Sequence, residues 1–428
     1  MLLYTLPCSI PPETFGSSLF YIIHLRQATF FLHLLKFYPE VNGLRVYIIR
    51  YAEIGLKGKN RKNFEDALKR NIERVTGMKV KKQWGRFLIP VDEGIDLDDK
   101  LKKIFGIQNF SKGFLVSHDF EEVKKTVLVA VKEKLEQGEF KTFKVQAKKA
   151  YKEYKKGVYE MNSELGALVL KNFKELSVDV HNPDFVLGVE VRPEGILVFT
   201  DKVECYGGLP VGTGGRAILL LSGGIDSPVA GWYALKRGVL IESVTFVSPP
   251  FTSEGAVEKV KDILRVLREF SGGHPLRLHV VNLTQVQLRI KKSVPDKYSL
   301  LMYRRSMFRI AEKIAEEVNA IAFYTGENVG QVASQTLENL WSIESVTTRP
   351  VIRPLAGFDK TEIVEKAREI GTYEISIKPY QDSCVFFAPK NPATRSHPSA
   401  LEELERSIPD LSALEEEAFR TRKIEVIE

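Results

Sequence analysis

Ala217-Ile218-Leu219-Leu220-Leu221-Ser222-Gly223-Gly224-Ile225-Asp226-Ser227-Pro228-Val229-Ala230-Gly231-Trp232-Tyr233-Ala234-Leu235-Lys236 decides the fold of this chain. The unbroken apolar run reads as a buried strand, Ser222 to Ser227 as a glycine-rich turn, and the stretch from Pro228 to Lys236 as a helix. Ser227 is placed to cap that helix. Pro228 suits the first turn, where its missing N–H is unpaired anyway, and Gly238 stands where the helix should stop. Two glycines let backbone N–H groups approach a phosphate closely, and a helix N-terminus adds a field that favours an anion. No Gly-Lys-Ser/Thr follows, so the loop is not of the Walker type.

Downstream the same grammar repeats. Strands are predicted over 239–247, 276–283 and 320–325, with helices over 255–270 and 298–318 between them. Short buried strands alternating with helices predict a doubly wound parallel sheet. Such sheets take ligands at the carboxyl ends of their strands, where Ser222–Ser227 and Thr325-Gly326-Glu327-Asn328 both fall. Upstream, Gly207-Gly208-Leu209-Pro210-Val211-Gly212-Thr213-Gly214-Gly215 reads as a linker over 205–215. Before it, strands over 44–49, 87–91 and 110–116 with helices over 63–76 and 98–105 predict a small α+β domain, 44–117. A second block, 118–204, combines helices over 121–137 and 162–173 with a strand over 142–147. A hairpin turns at Pro193-Glu194-Gly195. The nucleotide-type domain spans 216–398. The Glu- and Leu-rich tail, 399–428, reads as solvated surface helices.

The chain has 428 residues, enough for several domains, and 44% of them are hydrophobic, enough for real cores. Its formal net charge of +7 favours a polyanionic partner. Cys8, Cys205 and Cys384 are too few and too scattered for a disulfide framework or a thiolate metal site, which points to a reducing, cytoplasmic setting. The seven histidines lack zinc-ligand spacing. Residues 1–43 are aromatic and apolar. No Lys or Arg precedes Arg26, unlike a secretory signal, and His24, Arg26, Gln27 and His33 would burden a membrane span. They read as an extension outside the folded body, with Val41 or Leu44 as alternative starts. No membrane association is expected.

Lys141 to Lys156 carries seven Lys and one Glu. Lys144, Lys148, Lys149 and Lys152 suit phosphate contact, and the interleaved Phe143, Tyr151 and Tyr154 suit base stacking. A solvated basic strand explains the charges equally well.

The hexapeptide Ser222–Ser227 resembles the pyrophosphatase loop of enzymes that cleave ATP between its α- and β-phosphates. The wider chain resembles the tRNA 4-thiouridine synthetases, a sulfurtransferase family that also serves thiamine biosynthesis. The matching stretches run in order from Arg50-Tyr51-Ala52-Glu53-Ile54-Gly55-Leu56-Lys57-Gly58-Lys59-Asn60-Arg61. They continue through Glu164-Leu165-Gly166-Ala167, Asn182-Pro183-Asp184, Gly208-Leu209-Pro210-Val211-Gly212 and Ser248-Pro249-Pro250-Phe251-Thr252-Ser253-Glu254. Then come Thr325 to Thr336, Phe358-Asp359-Lys360 and Asp382-Ser383-Cys384, followed by Phe387-Ala388-Pro389-Lys390. The resemblance covers about residues 44–428. It implies a ferredoxin-like domain, a THUMP RNA-binding domain and a pyrophosphatase-loop domain.

It also implies roles. ATP contacts would come from Leu220, Leu221, Ser222, Gly223, Gly224, Ser227, Thr245, Phe246, Arg304, Gly326 and Gln335, with Arg305 the alternative if the alignment slips by one. Asp226 is expected to serve catalysis and Mg²⁺, its plainer role being to bond backbone amides in the turn. Lys360 would steady phosphate or adenylate. Cys384 is the sulfur candidate, with Lys378 and Lys390 near it in sequence. Lys57, Lys59 and Arg61 would share the RNA surface. The implied reaction adenylates uridine-8 of tRNA and replaces the adenylate by sulfur from a persulfide or sulfide donor such as a cysteine desulfurase, in a homodimer. The matched pattern stops near Ile424-Glu425-Val426 without a rhodanese domain, and no cysteine pair accompanies the loop. The alternatives are another THUMP-containing ATP pyrophosphatase and a non-catalytic tRNA-binding protein.

Overall fold

The computed structural model describes residues 43–380 and 387–428. The extension over 1–43, apart from Gly43, and the candidate thiol Cys384 lie outside the described residues. The first part of the chain runs β1 (Leu44–Arg50), α1 (Arg61–Thr76), β2 (Lys81–Gln83), β3 (Arg86–Pro90), α2 (Asp98–Lys102), β4 (Asn109–Val116), α3 (Phe120–Leu135), β5 (Thr142–Lys149), α4 (Val158–Asn172), β6 (Ser177–Val178), β7 (Phe185–Arg192), β8 (Gly195–Phe199) and β9 (Val203–Glu204). Then follow β10 (Arg216–Leu220), α5 (Asp226–Lys236), β11 (Leu240–Val247), α6 (Glu254–Glu269), β12 (Leu276–Asn282), α7 (Thr284–Ser293), α8 (Ser299–Val318), β13 (Ala322–Tyr324), α9 (Leu337–Glu344), β14 (Val351–Ile352), α10 (Lys360–Glu369), α11 (Tyr373–Ser376), α12 (Pro398–Arg406), α13 (Leu411–Arg420) and β15 (Lys423–Ile427).

Two compact units emerge. The first comprises the described residues up to Arg50 with Lys79–Asp96 and Asn109–Glu204. Its strands form one sheet in the order β2-β3-β1-β4-β8-β7-β5-β6, with β9 on β4. The strands of both predicted N-terminal domains therefore share a sheet, joined where β4 pairs with β8. Asp119 caps α3 by accepting the Glu121 N–H at 3.0 Å. Val123, Val127 and Val131 of α3 and Leu165 and Val169 of α4 bury one helical face each. Phe143 is in the same core and wholly buried. It cannot stack on a base, because strand alternation turns it inward. Tyr151 and Tyr154 pack against that core and lean on the His118 ring at 5.2 and 5.8 Å between centroids.

The second unit comprises Tyr51–Met78, Leu97–Gln108 and the chain from Cys205 onward. Its sheet has the order β14-β13-β10-β11-β12-β15. All pairs are parallel except β12 with β15. The order reverses at β10, so the crevice beyond β10 and β13 is a topological switch point. One face of the sheet is covered by α5, α6 and α10 through residues such as Val229, Trp232, Leu264 and Ile363. The other is covered by α7, α8, α12 and α13 through Ile290, Phe308, Leu401 and Leu411.

Two local expectations are corrected. Helix α5 begins at Asp226 with Ile225 at the cap position and no side-chain cap, so Ser227 lies inside the first turn. Gly238, at φ 80°, does follow the end of that helix. The tail is not a solvated helical face. Leu401, Leu411 and Ala418 are core residues, and Lys423–Ile427 adds a strand to the sheet, with Ile427 buried. Arg305 and Arg309 on α8 bind Glu405, and Arg309 also binds Glu415, which seats the tail helices.

Candidate functional site

The glycine-rich turn leaves β10 and is tied shut by its own two serines. The Ser222 N–H donates to Ser227 Oγ at 2.9 Å, and Ser227 Oγ donates to the Ser222 carbonyl at 3.2 Å. Gly224 N–H donates to Ser222 Oγ at 3.2 Å. Ser227 thus braces the loop where sequence reasoning made it a cap. Gly326, in the loop after β13, lies against this turn. A Cβ there would come within 2.5 Å of the Ser227 nitrogen, so only glycine permits the approach.

The turn and the ends of β10, β11 and β13 enclose a cavity of about 330 Å³. Its wall brings together Leu220, Leu221, Ser222, Gly224, Asp226, Ser227, Thr245, Phe246, Arg304, Gly326 and Gln335, while Gly223 stays out of it. Val244, Leu300, Met307 and Phe308 add an apolar side suited to a flat base. Gln335 contributes a buried side-chain oxygen with no hydrogen-bond partner among the described residues. That is an acceptor left for a ligand donor. The two neighbouring arginines of α8 part in space. Arg304 lines the cavity, whereas Arg305 is buried and donates to Glu405, the Ser342 carbonyl and Ser345 Oγ.

The wall also holds a charge cluster that sequence reasoning missed. Glu327 is buried and bonded to Arg304, while its second oxygen accepts from Arg353 Nε at 2.8 Å and Thr325 Oγ1 at 2.9 Å. Burial alone would raise the Glu327 carboxyl, but the two guanidinium charges prevail and hold it below the usual carboxylate range. Arg353 reaches on to Glu344 at 2.7 Å. Glu327 lay inside a matched stretch, but nothing in the sequence joined it to Arg353, which arrives after β14.

Asp226 opens α5 at the cavity. Its Oδ1 accepts from Lys360 Nζ at 2.5 Å and its Oδ2 from Gln331 Nε2 at 3.2 Å. Among the described residues both Asp226 oxygens are met by side chains, not by the amides of the turn. Lys360 starts α10 and is half-exposed. Lys378 is engaged by Asp262 at 3.2 Å.

The predicted RNA residues fall into two groups. Arg61 is committed locally, donating to Glu65 at 2.8 Å and to the Tyr51 hydroxyl at 2.7 Å. Lys57 lies over the Phe64 ring, 5.1 Å from its centroid, and 3.9 Å from Glu53. Lys59 is exposed. On β5, Lys144 and Lys148 alternate with the buried Phe143 and Ala147 and so project from the opposite face. Lys148, Lys149 and Lys152 are exposed.

A looped phosphate-type cavity at the switch point of a doubly wound sheet, on one chain with a large mixed sheet upstream, defines a multidomain protein of the pyrophosphatase-loop class. Residues 212–409 match the family described as thiamine biosynthesis protein (ThiI), 46–111 the ThiI ferredoxin-like domain and 117–201 the THUMP domain. A probable tRNA sulfurtransferase of Thermotoga maritima is 87% identical over 385 residues, which is 90% of this chain and 99% of that protein. One from Bacillus subtilis is 45% identical, covering 84% of this chain and 90% of its own length. A crystal structure of a 4-thiouridine synthetase with RNA and bound ATP superposes with a TM-score of 0.87 at 87% identity, covering 90% of this chain and all of that one. The chain belongs to the ThiI family of tRNA sulfurtransferases. Its fold class is the expected one: ferredoxin-like, THUMP and pyrophosphatase-loop regions in sequence.

Proposed function

We propose that this protein uses ATP to place sulfur on tRNA, making 4-thiouridine at uridine-8, and that it also supplies sulfur for the thiamine thiazole. The observation that carries the reading is the cavity behind the Ser222–Ser227 turn, with its apolar side and its orphaned Gln335 oxygen. The related synthetase that binds ATP and RNA supports it. The adenine would lie against Phe246, Val244 and Met307, and the phosphates against the turn, the start of α5 and Arg304.

Asp226 fits a Mg²⁺ site of the open kind. It is the carboxylate at the turn, and Mg²⁺ commonly combines one or two carboxylates with substrate phosphates. The ion would neutralise phosphate charge there. The protein's own part is to hold ATP with its α-phosphorus facing the uridine. O4 of uridine attacks that phosphorus and pyrophosphate leaves. Loop amides, the helix N-terminus and Lys360 stabilise the charge that gathers on the phosphate oxygens. Sulfide, or the terminal sulfur of a persulfide, then attacks C4 and AMP departs. A disulfide left by the persulfide route is cleaved by a thiol.

Cys384 is the proposed thiol on the chain, and a cysteine desulfurase the proposed source. We assign 118–204 to RNA binding, with the exposed Lys148, Lys149 and Lys152 and the partly exposed Lys144 its contacts and Lys57, Lys59 and Arg61 secondary ones. Residues 44–117 form the ferredoxin-like part, 205–215 the linker, 216–398 the nucleotide part and 399–428 a tail built into it. A cytoplasmic homodimer is the proposed form. No helix among the described residues is long and apolar enough to cross a membrane. The test incubates purified protein with unmodified tRNA, Mg-ATP and sulfide or persulfide, following 4-thiouridine by its near-ultraviolet absorbance. Appearance of the chromophore only with ATP supports the reading. tRNA binding without thiolation from any donor sinks it.

A further inference from the structure

A second cationic site lies at the opposite end of the nucleotide sheet. Arg70 and Arg74 stand one turn apart on α1, and Arg268 lies in the last turn of α6. Arg74 is held by neutral groups. It donates to the Gly272 carbonyl at 2.8 Å and to Asn71 Oδ1 at 3.2 Å, and Asn71 in turn donates to the Val211 carbonyl at 3.0 Å. The aliphatic part of Arg74 lies on Gly273, where a Cβ would come within 2.7 Å of it. Among the described residues no carboxylate pairs with Arg70, Arg74 or Arg268. The acids next to them in sequence are taken, Glu73 by Lys69 at 3.7 Å and Glu269 by Lys103. Arg268 Nε is buried with no hydrogen-bond partner among the described residues.

The three charges act on one another. Burial, then Arg70 and Arg268, push the Arg74 guanidinium down from its ordinary value. The neighbouring His274 is lowered to about 4, first by burial and then by Arg74, Arg268 and Arg70, so it adds no charge at neutral pH. Helix dipoles favour a single cation at each of these two helix ends. They do not explain a third arginine or an unpaired, buried Arg268 nitrogen. Cations that repel one another and lack acids are relieved by a bound anion, and arginine forks suit phosphate oxygens.

The ligand is not the nucleotide of the cavity. Val211–Gly212 precede β10 and His274 precedes β12, so the cluster sits at the amino-terminal edge of the strands, whereas the cavity lies beyond their carboxyl ends.

We propose that Arg70, Arg74 and Arg268 form a docking site for a backbone phosphate of the tRNA substrate. This rests on the function proposed above. The test uses the full chain and measures tRNA affinity from 50 to 200 mM salt for wild type, Arg70→Gln/Arg268→Gln and Arg70→Lys/Arg268→Lys, with ATP affinity alongside. Arg74 is left intact because it also braces Gly272. The glutamine variant should bind tRNA roughly 3- to 10-fold more weakly, with a log–log salt slope smaller by about one to two. The lysine variant should recover most of the loss, and ATP affinity should not change. Unchanged tRNA affinity and slope in the glutamine variant overturn the proposal while leaving the function intact. A wild-type chain that binds no tRNA overturns the function itself, and the proposal with it. In a second arm, calorimetry with inorganic phosphate separates the sources. Phosphate binding lost in the glutamine variant, with tRNA binding untouched, would mark a free-anion site and overturn the RNA assignment.

Discussion

Lys360 Nζ lies 2.5 Å from Asp226 Oδ1, joining the first residue of one helix to the first residue of another at the nucleotide cavity. The pair is partly exposed, so it contributes little to stability, on the order of 1 kcal/mol or less. On the function proposed above, its worth lies in fixing the charge that would face the phosphates. Asp226→Ala should therefore fold normally and bind tRNA, yet lose pyrophosphate release by about 10²-fold or more. Lys360→Met should behave alike. Undiminished pyrophosphate release from either protein would contradict the assignment.

The Arg304–Glu327–Arg353 cluster sets a second expectation. Glu327→Gln leaves two guanidinium groups facing a neutral amide in a buried wall. Losses of about 3–5 kcal/mol follow from breaking such a pair, visible as a lowered melting temperature. Arg304→Gln removes the guanidinium that lines the cavity proposed for ATP and should raise KM for ATP by roughly 10-fold. The sign with pH follows from the depressed Glu327 carboxyl. Its contribution is complete above the ordinary carboxylate value and is lost as pH falls through the lower folded value. Melting curves that ignore both substitutions would remove the cluster from the account.

Gly326→Ala places a methyl carbon only 2.5 Å from the Ser227 nitrogen, inside contact distance. Overpacking of this kind costs about 1–3 kcal/mol, and relief would come by pushing the phosphate turn away. Nucleotide affinity should fall more than overall stability does. Calorimetric ATP titration beside thermal melting checks this; equal losses in both would mean general damage.

His274 gives a pH test of stability. Its folded value of about 4 lies below the ordinary value of 6.5, so the unfolded chain takes up the proton first. Stability is complete above pH 6.5 and declines as pH falls toward 4. The groups responsible are Arg70 and Arg74 on α1 and Arg268 on α6, beside the burial of the ring itself. The full shift corresponds to ~3 kcal/mol, which solvent screening of a half-buried ring reduces to ~1–2 kcal/mol. His274→Asn should flatten this part of the pH–stability curve.

Cys384→Ser should abolish transfer from a persulfide donor while leaving pyrophosphate release intact. Equal thiolation by the serine protein with both sulfide and persulfide would refute the thiol's role.

Much of the site was legible because the loop and its partners are local. A strand, a turn and a helix fix Ser222 to Ser227 in one stretch, and β13 brings Gly326 to the same strand edge by topology alone. What was not legible depends on long-range pairing. Arg353 comes to Glu327 from beyond β14. Ser227 looked like a cap because serine before proline usually is one, but the helix starts two residues earlier and Ser227 turns its hydroxyl back onto Ser222. Phe143 looked like a stacking ring among lysines, although period-two alternation already assigned it to the core face. The closing strand over 423–427 was hidden by its brevity and by the Glu-rich helices before it, whose apolar residues read as incidental.

That closing strand has a consequence for synthesis. Until Lys423–Ile427 has left the ribosome, the edge of β12 is bare, and its neighbours on the other side were made long before. At 5–20 residues per second the wait lasts roughly ten seconds or more. During it, the nascent protein presents an open parallel-sheet rim of the sort that invites pairing with other chains. Co-translational crowding, rather than heat, would then be the more searching challenge to this enzyme's yield.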